Sequence, residues 1–491
     1  MKILVEGCCL LDAEAEGGLR RGVNILIDGG RIASVSTMPV EADVDRRIDG
    51  RDRLVMPGIV NAHTHSPENL FKATTDRLPF EAWLVHSIWM MDGMTPRDHY
   101  LAAMLGVIEM LRSGTTAVMD HVGIPPEDGP AALDAVMEAY RVSGLRAGVA
   151  PLFRQVPNDV ADAEARGFPL ASLLPATLPP GPSTAERLDL LGGFFARWHG
   201  TEGGRLRCFV GPSGVQWFTP ALLHDYAALA ASFGSGMHMH LMETRVQDQV
   251  VRALHGKTAV ALLADEKLLG PHVSLPHSVW ITQRDVERIA EAGAVPVHNP
   301  AANLRLGSGL SPIRAMLDAG IVPGLGADGS KSSDHQNMFG HIHLAALIHN
   351  LADPDPDRWL ASREVLRMAG EGGAAVLMRR GELGRIEPGF LADLTLLDLA
   401  APAFAPLHDA FHHLAYCELG GAVRTVIIDG RIVMDEGRIL TFDADAIIAE
   451  ARERMAERAL GAPPSPDWQA AIDAHRAYQQ HILATTAFEQ D

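Results

Sequence analysis

The sequence predicts an α/β chain: a (β/α)8 barrel of the TIM type beside a small β-sandwich built from both chain ends. Three observations point there. Through the middle of the chain, apolar strand-like runs alternate with amphipathic helical stretches. Short alternating strands with Asp-Gly turns occur near both termini. Residue types that ligate metals or carry protons stand beside several of the central runs.

Near the N-terminus, Lys2 to Val5, Val23 to Ile27 and Arg31 to Val35 alternate as strands, with Asp28-Gly29-Gly30 as a tight turn. The pattern returns at Leu394 to Leu397, Ala422 to Ile428 and, beyond Asp429-Gly430, Arg431 to Met434. The economical inference is one module made by both ends. Residues 1–56 and 381–440 are expected to form the sandwich, 57–380 the catalytic barrel and 441–491 a helical tail. The tail reads as a helix over Ala444 to Ala459, a Pro-containing link and a second helix over Trp468 to Ile482.

Between the ends, strand-like runs fall at Ala117 to Met119, Arg146 to Val149, Arg207 to Val210, Gly236 to Leu241, Ser278 to Ile281, Ala294 to Val297 and Val322 to Leu325. Helical stretches such as His99 to Arg112 and Ala221 to Ser232 separate some of them. This alternation implies a parallel sheet, open or closed. No Walker loop follows a strand, which weakens a P-loop reading. Residues 155–190 break the rhythm, and Pro169 to Pro182, rich in Pro and Leu, is expected to loop over one face.

Composition excludes several classes. With 491 residues and 47% hydrophobic content, the chain can bury a large core. A net charge of −19 and only 5% aromatic residues argue against nucleic-acid binding. The cysteines, Cys8, Cys9, Cys208 and Cys417, form no C-x-x-C, so a reducing cytosol fits best. The first apolar run meets Glu6 too early for a signal peptide, and no membrane-length run follows. A cytoplasmic protein that spans no membrane is expected.

The most informative motif is His63-Thr64-His65, directly after the run Leu54 to Val60. Alternate strand residues point to one side, so both imidazoles can reach one point, which suits zinc or iron. His238-Met239-His240 repeats that geometry, and only one of its imidazoles need bind. His240 is favoured because Glu243 follows three residues later, where the strand turns into a loop and a carboxyl can shuttle protons. His277 stands at the edge of another run, and Asp328 ends the stretch Gly324-Leu325-Gly326-Ala327, with glycines that leave room for a close ligand. Taken singly, each has a bland reading as a core histidine, a solvated loop acid or a loop cap. Jointly they favour closure, because a closed parallel barrel gathers its strand ends on one rim and an open sheet spreads them.

With these residues in view, the chain resembles the amidohydrolase superfamily. The likeness runs from Met56-Pro57-Gly58-Ile59-Val60-Asn61-Ala62-His63-Thr64-His65 through Ser113-Gly114-Thr115-Thr116 and His298-Asn299-Pro300 to Gly384-Arg385-Ile386-Glu387-Pro388-Gly389. It is most similar to the branch of cytosine, guanine, 8-oxoguanine and S-adenosylhomocysteine deaminases and s-triazine hydrolases. The resemblance implies that His63, His65, His240 and Asp328 ligate metal, that Glu243 shuttles the proton and that His277 orients the attacking water. Two-metal members carry a carboxylated lysine after the fourth strand. Here Cys208 to Trp217 contains no lysine, so one divalent metal per subunit is expected, zinc first and iron second.

The reaction expected is hydrolytic deamination of an aminated N-heterocycle such as a purine, pyrimidine, pterin or triazine. A bound metal lowers the pKa of water towards ~7. Asp328 takes the water's proton, His277 fixes its direction, and Glu243 protonates the ring nitrogen beside the attacked carbon. The alternative is displacement of chloride or alkylamine, or opening of an amide or cyclic urea. Gln216, Trp217, His121, Asn69 and Arg154 are further candidates for the substrate pocket, with Lys72 near them and Arg305 read as structural. His341, His343 and His349 have helical spacing, which favours one helix face over a second metal site. The partners expected are a small heterocyclic substrate, water and further copies of the chain as a dimer or higher oligomer.

Overall fold

The chain opens with five strands, β1 (Lys2–Leu11), β2 (Leu19–Asp28), β3 (Arg31–Ser36), β4 (Arg46–Asp49) and β5 (Arg53–Pro57). The structure, a computed structural model, describes residues 1–123, 129–153, 158–170, 183–458 and 466–488. Nine parallel-type segments follow: β6 (Ile59–Thr64), β7 (Thr115–Gly123), β8 (Arg146–Phe153), β9 (Leu206–Cys208), β10 (Gly211–Pro212), β11 (Met237–His238), β12 (Val273–Pro276), β13 (Val295–His298) and β14 (Gly324–Leu325). The last strands are β15 (Leu394–Asp398), β16 (Val423–Ile428), β17 (Arg431–Asp435) and β18 (Arg438–Ile439).

The two chain ends form one nine-stranded sheet, ordered β18-β17-β16-β15-β5-β1-β2-β3, with β4 on β1. β5 is the join: it runs antiparallel to β15, pairing Met56 with Thr395, and parallel to β1, pairing Leu54 with Cys9. Alternation decides which face is apolar. Ile3, Val5, Ile25, Ile27, Val55, Leu394, Leu396 and Ile427 pack into one cluster drawn from both ends. Even the two Asp-Gly turns touch. Gly430 sits at φ +69°, and a Cβ there would lie 1.8 Å from the Gly29 carbonyl oxygen, so only glycine fits.

The central strands make two parallel sheets, β10-β8-β7-β6 with β9 beside β8, and β11-β12-β13-β14. Parallel bridges Val210↔Met237 and Gly214↔His240 join them on one side. On the other, the Asp328 N–H donates to the His63 carbonyl at 2.8 Å, linking the end of β14 to β6. These strands are buried along most of their length, as parallel sheets covered by helices require.

Most of the strand-like runs match, but one does not. Ser278 to Ile281, expected as a strand, is loop, and the strand is β12 just before it. His277 and Ser278 sit at φ +72° and +46°, a left-handed conformation no strand contains. Pro271, Ser274 and Pro276 interrupt the apolar run of β12 and hide it. The consequence is favourable to the site: His277 stands at the C-terminal end of a strand. Around residues 155–190 the described parts are the helices Asn158–Ala165 and Thr184–Trp198. Arg154 and most of Pro169 to Pro182 lie outside the described residues.

Helix Pro96–Arg112 starts where Thr95 and Asp98 form a reciprocal capping box ahead of Pro96. The tail ends in helix Pro466–Thr485, whose Trp468, Ala471 and Ile472 pack on Ala82 and Val85 of helix Phe80–Met91. Among the described residues no helix is long and apolar enough to cross a membrane.

Candidate metal centre and substrate cavity

His63 lies in β6 and His65 directly after it, His240 follows β11, and Asp328 follows β14. Their inward atoms converge. Asp328 Oδ1 is 3.4 Å from His63 Nε2 and 3.3 Å from His65 Nε2, and His240 Nε2 is 3.2 Å from His65 Nε2. Ligand atoms about 2.0–2.1 Å from a tetrahedral ion lie about 3.3–3.4 Å apart, so the spacing fits one.

The outward nitrogens fix the tautomers. His65 Nδ1 donates to the His121 carbonyl at 2.5 Å, and His240 Nδ1 to the Ser213 carbonyl at 2.7 Å. Ser274 Oγ donates to the Met237 carbonyl, so it accepts from His238 Nδ1 at 2.7 Å. His238 Nε2 is then an acceptor, and His63 Nδ1 donates to it at 2.8 Å. Each of the three imidazoles thus turns an Nε2 lone pair inward, the arrangement that outer partners impose on metal-binding histidines. His63 Nε2 is buried and has no hydrogen-bond partner among the described residues, an orphan that a cation satisfies. His238 has both nitrogens engaged and stands behind His63, which separates the two histidines of the H-x-H pair.

Electrostatics agree. Burial, then the neighbouring imidazoles, hold His63 and His240 well below the ordinary histidine range. Burial also pulls on His65, but the Asp328 and Glu68 carboxylates outweigh it and raise this group. Burial pushes Asp328 up, yet the imidazoles of His277, His65 and His240 prevail and lower it. His63 and His240, which resist protonation, beside a carboxyl held acidic form a donor set for a divalent cation, and on binding it would displace the proton that Asp328 and Glu68 favour on His65.

Glu243 and His277 complete the centre. Burial, reinforced by Asp328, pushes the Glu243 carboxyl well above its usual range, which favours its protonated form. Ser308 Oγ donates to Glu243 Oε1 at 3.1 Å, and the Glu243 N–H donates to Gln247 Oε1 at 2.9 Å. His277 Nδ1 donates to Asn303 Oδ1 at 2.9 Å, and its Nε2 faces Asp328 Oδ2 at 3.9 Å.

A cavity of about 250 Å³ opens over these groups. His65, His240, Glu243, His277 and Asp328 form its floor, while Phe80, Trp83, Leu84, Ile88 and Met91 of helix Phe80–Met91 form an apolar wall. Trp217 also lines it. Among the described residues, the other pocket candidates sit elsewhere. Gln216 is buried outside the cavity lining, and His121 lies beneath the centre, stacked on His240 with ring centroids 4.7 Å apart. Asn69 is a brace, donating to the Ser66 and Ala102 carbonyls and accepting from Ser330 Oγ at 2.6 Å. Lys72 pairs with Glu109, and Arg305 binds Asp334 at 3.0 Å. The histidines of helix Met338–Ile348 and its end contribute to no ligand cluster among the described residues. The glycines around Asp328 make room for the protein itself: a Cβ on Gly326 would lie 2.8 Å from that of His63.

Sequence reasoning missed a polar patch on the cavity wall. Glu68 and Ser87 line it. Lys331 is wholly buried behind them, its Nζ donating to Ser87 Oγ at 2.6 Å and lying 4.7 Å from the Trp83 ring centroid. The Lys331 N–H donates to Glu68 Oε2 at 3.2 Å. Burial raises the Glu68 carboxyl and lowers the Lys331 amine. No spacing rule joins residues so far apart; only the lysine inside Gly326 to Ser333, a stretch otherwise of small residues, could have flagged it.

The chain resembles known proteins over nearly its whole length. The 5'-deoxyadenosine deaminase of Methanosarcina mazei is 31% identical over 458 residues, 93% of this chain and 98% of that protein. The 5-methylthioadenosine/S-adenosylhomocysteine deaminase of Pelotomaculum thermopropionicum is 32% identical over 456 residues, 92% of this chain and 98% of that protein. Among solved structures, zinc-complexed atrazine chlorohydrolase TrzN from Arthrobacter aurescens TC1 superposes with a TM-score of 0.83 at 30% identity, covering 92% of this chain and 99% of that one. An adenosine deaminase from Xanthomonas campestris with bound zinc gives 0.81 at 25% identity, covering 96% and 98%. The profile of the amidohydrolase family matches residues 54–433. By this match and by the identity to its curated relatives, the chain belongs to the amidohydrolase family.

Proposed function

We propose that this amidohydrolase is a mononuclear zinc enzyme that releases ammonia from an aminated N-heterocycle, in the first instance a purine carried on a nucleoside-like substituent. The observation that carries the reading is the convergence of three Nε2 atoms and one carboxylate beside Glu243, whose carboxyl burial holds well above its usual range, under an apolar wall. The adenosine-type deaminases among its relatives support the substrate class.

His63, His65, His240 and Asp328 would hold the metal, which when bound supplies Lewis-acid activation of water at neutral pH. The apolar wall and Trp217 bury the ring and exclude bulk water. Asp328 accepts one proton from the attacking water while His277 directs its oxygen at the amino-bearing carbon. Glu243 gives its proton to the adjacent ring nitrogen, so the ring loses aromaticity as the new C–O bond forms. The C–N bond then breaks: the proton held by Asp328 leaves with the amine as ammonia, and the remaining hydroxyl proton returns to Glu243, leaving a ring carbonyl.

The same reading takes the parallel strands as one closed eight-stranded barrel, supported by the bonds that link both edges of the two sheets. It takes the nine-stranded sheet as folded into a sandwich, with domains at 1–56, 57–380, 381–440 and 441–491, and the subunit as part of a cytoplasmic homo-oligomer. Displacement of halide or alkylamine is the second reading, favoured by the likeness to TrzN. Ammonia release from adenosine-type nucleosides, against chloride or alkylamine release from triazines, decides between them. No ammonia from any aminated ring would overturn the first.

A further inference from the structure

A hydrogen-bonded chain closes the seam between β14 and β6, and no motif announces it. Gln336 lies in the turn before helix Met338–Ile348, with its side chain wholly buried. Its backbone N–H donates to Glu109 Oε2 at 2.7 Å. Its Oε1 accepts from Asn61 Nδ2 and Thr64 Oγ1, both at 2.9 Å. Its Nε2 donates to the Asp328 carbonyl at 2.7 Å and to Ser330 Oγ at 3.1 Å.

Backbone groups force this orientation from both ends. The Ala327 N–H donates to Asn61 Oδ1 at 2.9 Å, so Asn61 must turn its NH2 towards Gln336. The Asp328 carbonyl can only accept, so Gln336 must turn its NH2 there. Asn61 and Thr64 flank His63 in β6, and the Asp328 N–H is itself bonded to the His63 carbonyl. One amide therefore ties the strand end bearing two imidazole ligands to the loop bearing the carboxylate ligand. Asp328 sits at φ +64°, a conformation that non-glycine residues adopt only when their surroundings hold them there.

We propose that Gln336 is a positioning residue for the metal centre, its amide holding Asp328 against His63 and His65 and so setting the affinity for metal. The inference rests on the metal-dependent reading above. A network serving only the fold would change melting and leave metal affinity alone.

The test uses the full-length protein and zinc, with the dissociation constant read by chelator competition and the geometry by the visible spectrum of the cobalt-substituted form. Gln336→Glu keeps the acceptor for Asn61 and Thr64 but sets a second acceptor against the Asp328 carbonyl. Zinc affinity should fall about 10–100-fold, the usual cost of losing an outer partner of a ligand, and the cobalt bands should shift. Asn61→Asp cuts the chain from its other end and should act in the same direction, with the double variant less than additive. It also carries the test should Gln336→Glu not fold. Variants that hold zinc within twofold of the wild type, whatever their melting temperature, overturn the inference. A wild-type chain that binds no zinc overturns the metal reading and this inference with it.

Discussion

Two sets of interior histidines can be compared within this molecule. His63, His65 and His240 hand their outer nitrogens to carbonyls or a further imidazole and point Nε2 at one carboxylate. His298 and His349 instead face each other, Nε2 to Nε2 at 3.1 Å, and His341 bonds the His335 carbonyl at 3.2 Å. Burial depresses members of both, His63 and His240 in the first and, in the second, His341 to about 3 and His349 to about 4. Burial and a lowered pKa therefore do not mark a site. Convergence of free lone pairs on an acid does.

That contrast breaks first at the ligands. Asp328→Ala and His65→Ala should each reduce zinc from about one per chain to under about a tenth, because an incomplete donor set loses most of its binding energy. His341→Asn should leave zinc content unchanged in elemental analysis. If His341→Asn lost the metal and Asp328→Ala kept it, the comparison would be inverted. Next comes Glu243→Gln, expected to lower kcat by ~10²–10⁴-fold with zinc content intact. Near-normal turnover would remove Glu243 from proton transfer.

Melting against pH sharpens the comparison further. His99, His298, His341 and His349 are held below the ordinary range by burial. The unfolded chain takes a proton at each near pH ~6.5 that the folded chain refuses. Their contribution is complete above that pH and is lost as pH falls. Glu81, raised to about 7 by burial, acts oppositely: its contribution is complete below ~4.3 and lost as pH rises towards 7. Glu68 and Glu243, also raised, share its sign. Because the imidazoles outnumber these carboxyls, the zinc-free protein should melt at lower temperature at pH 5 than at pH 7, read by calorimetry. A flat or rising profile would contradict it. Smallest is Ser308→Ala, which removes one hydrogen bond to Glu243 worth about 1 kcal/mol and should slow turnover about fivefold.

Much of the centre was legible because backbone geometry carries it. Alternation places His63 with His65, and strand ends in a parallel fold gather on one side, so His240 and Asp328 join them. Where strand signals were interrupted by proline, as in Val273–Pro276, the strand was misplaced, although His277 still stands at a strand end. The wall patch and the seam were not legible. Lys331 and Glu68 are 263 residues apart, and Gln336 and Asn61 are 275 apart; nothing local distinguishes such side chains until loops pack. The same holds for Gln216 and Asn69, which sit near the right strands but face the interior instead of the cavity.

The interleaved terminal sheet has a consequence for how the polypeptide is made. β5 lies between β1 and β15, so its antiparallel neighbour emerges from the ribosome more than three hundred residues later. Until then an apolar edge is open to any passing strand, a standing invitation to aggregate. Slow translation or a chaperone should raise the yield of active enzyme more than lower growth temperature alone, and a circularly permuted gene beginning near β15 should relieve that dependence.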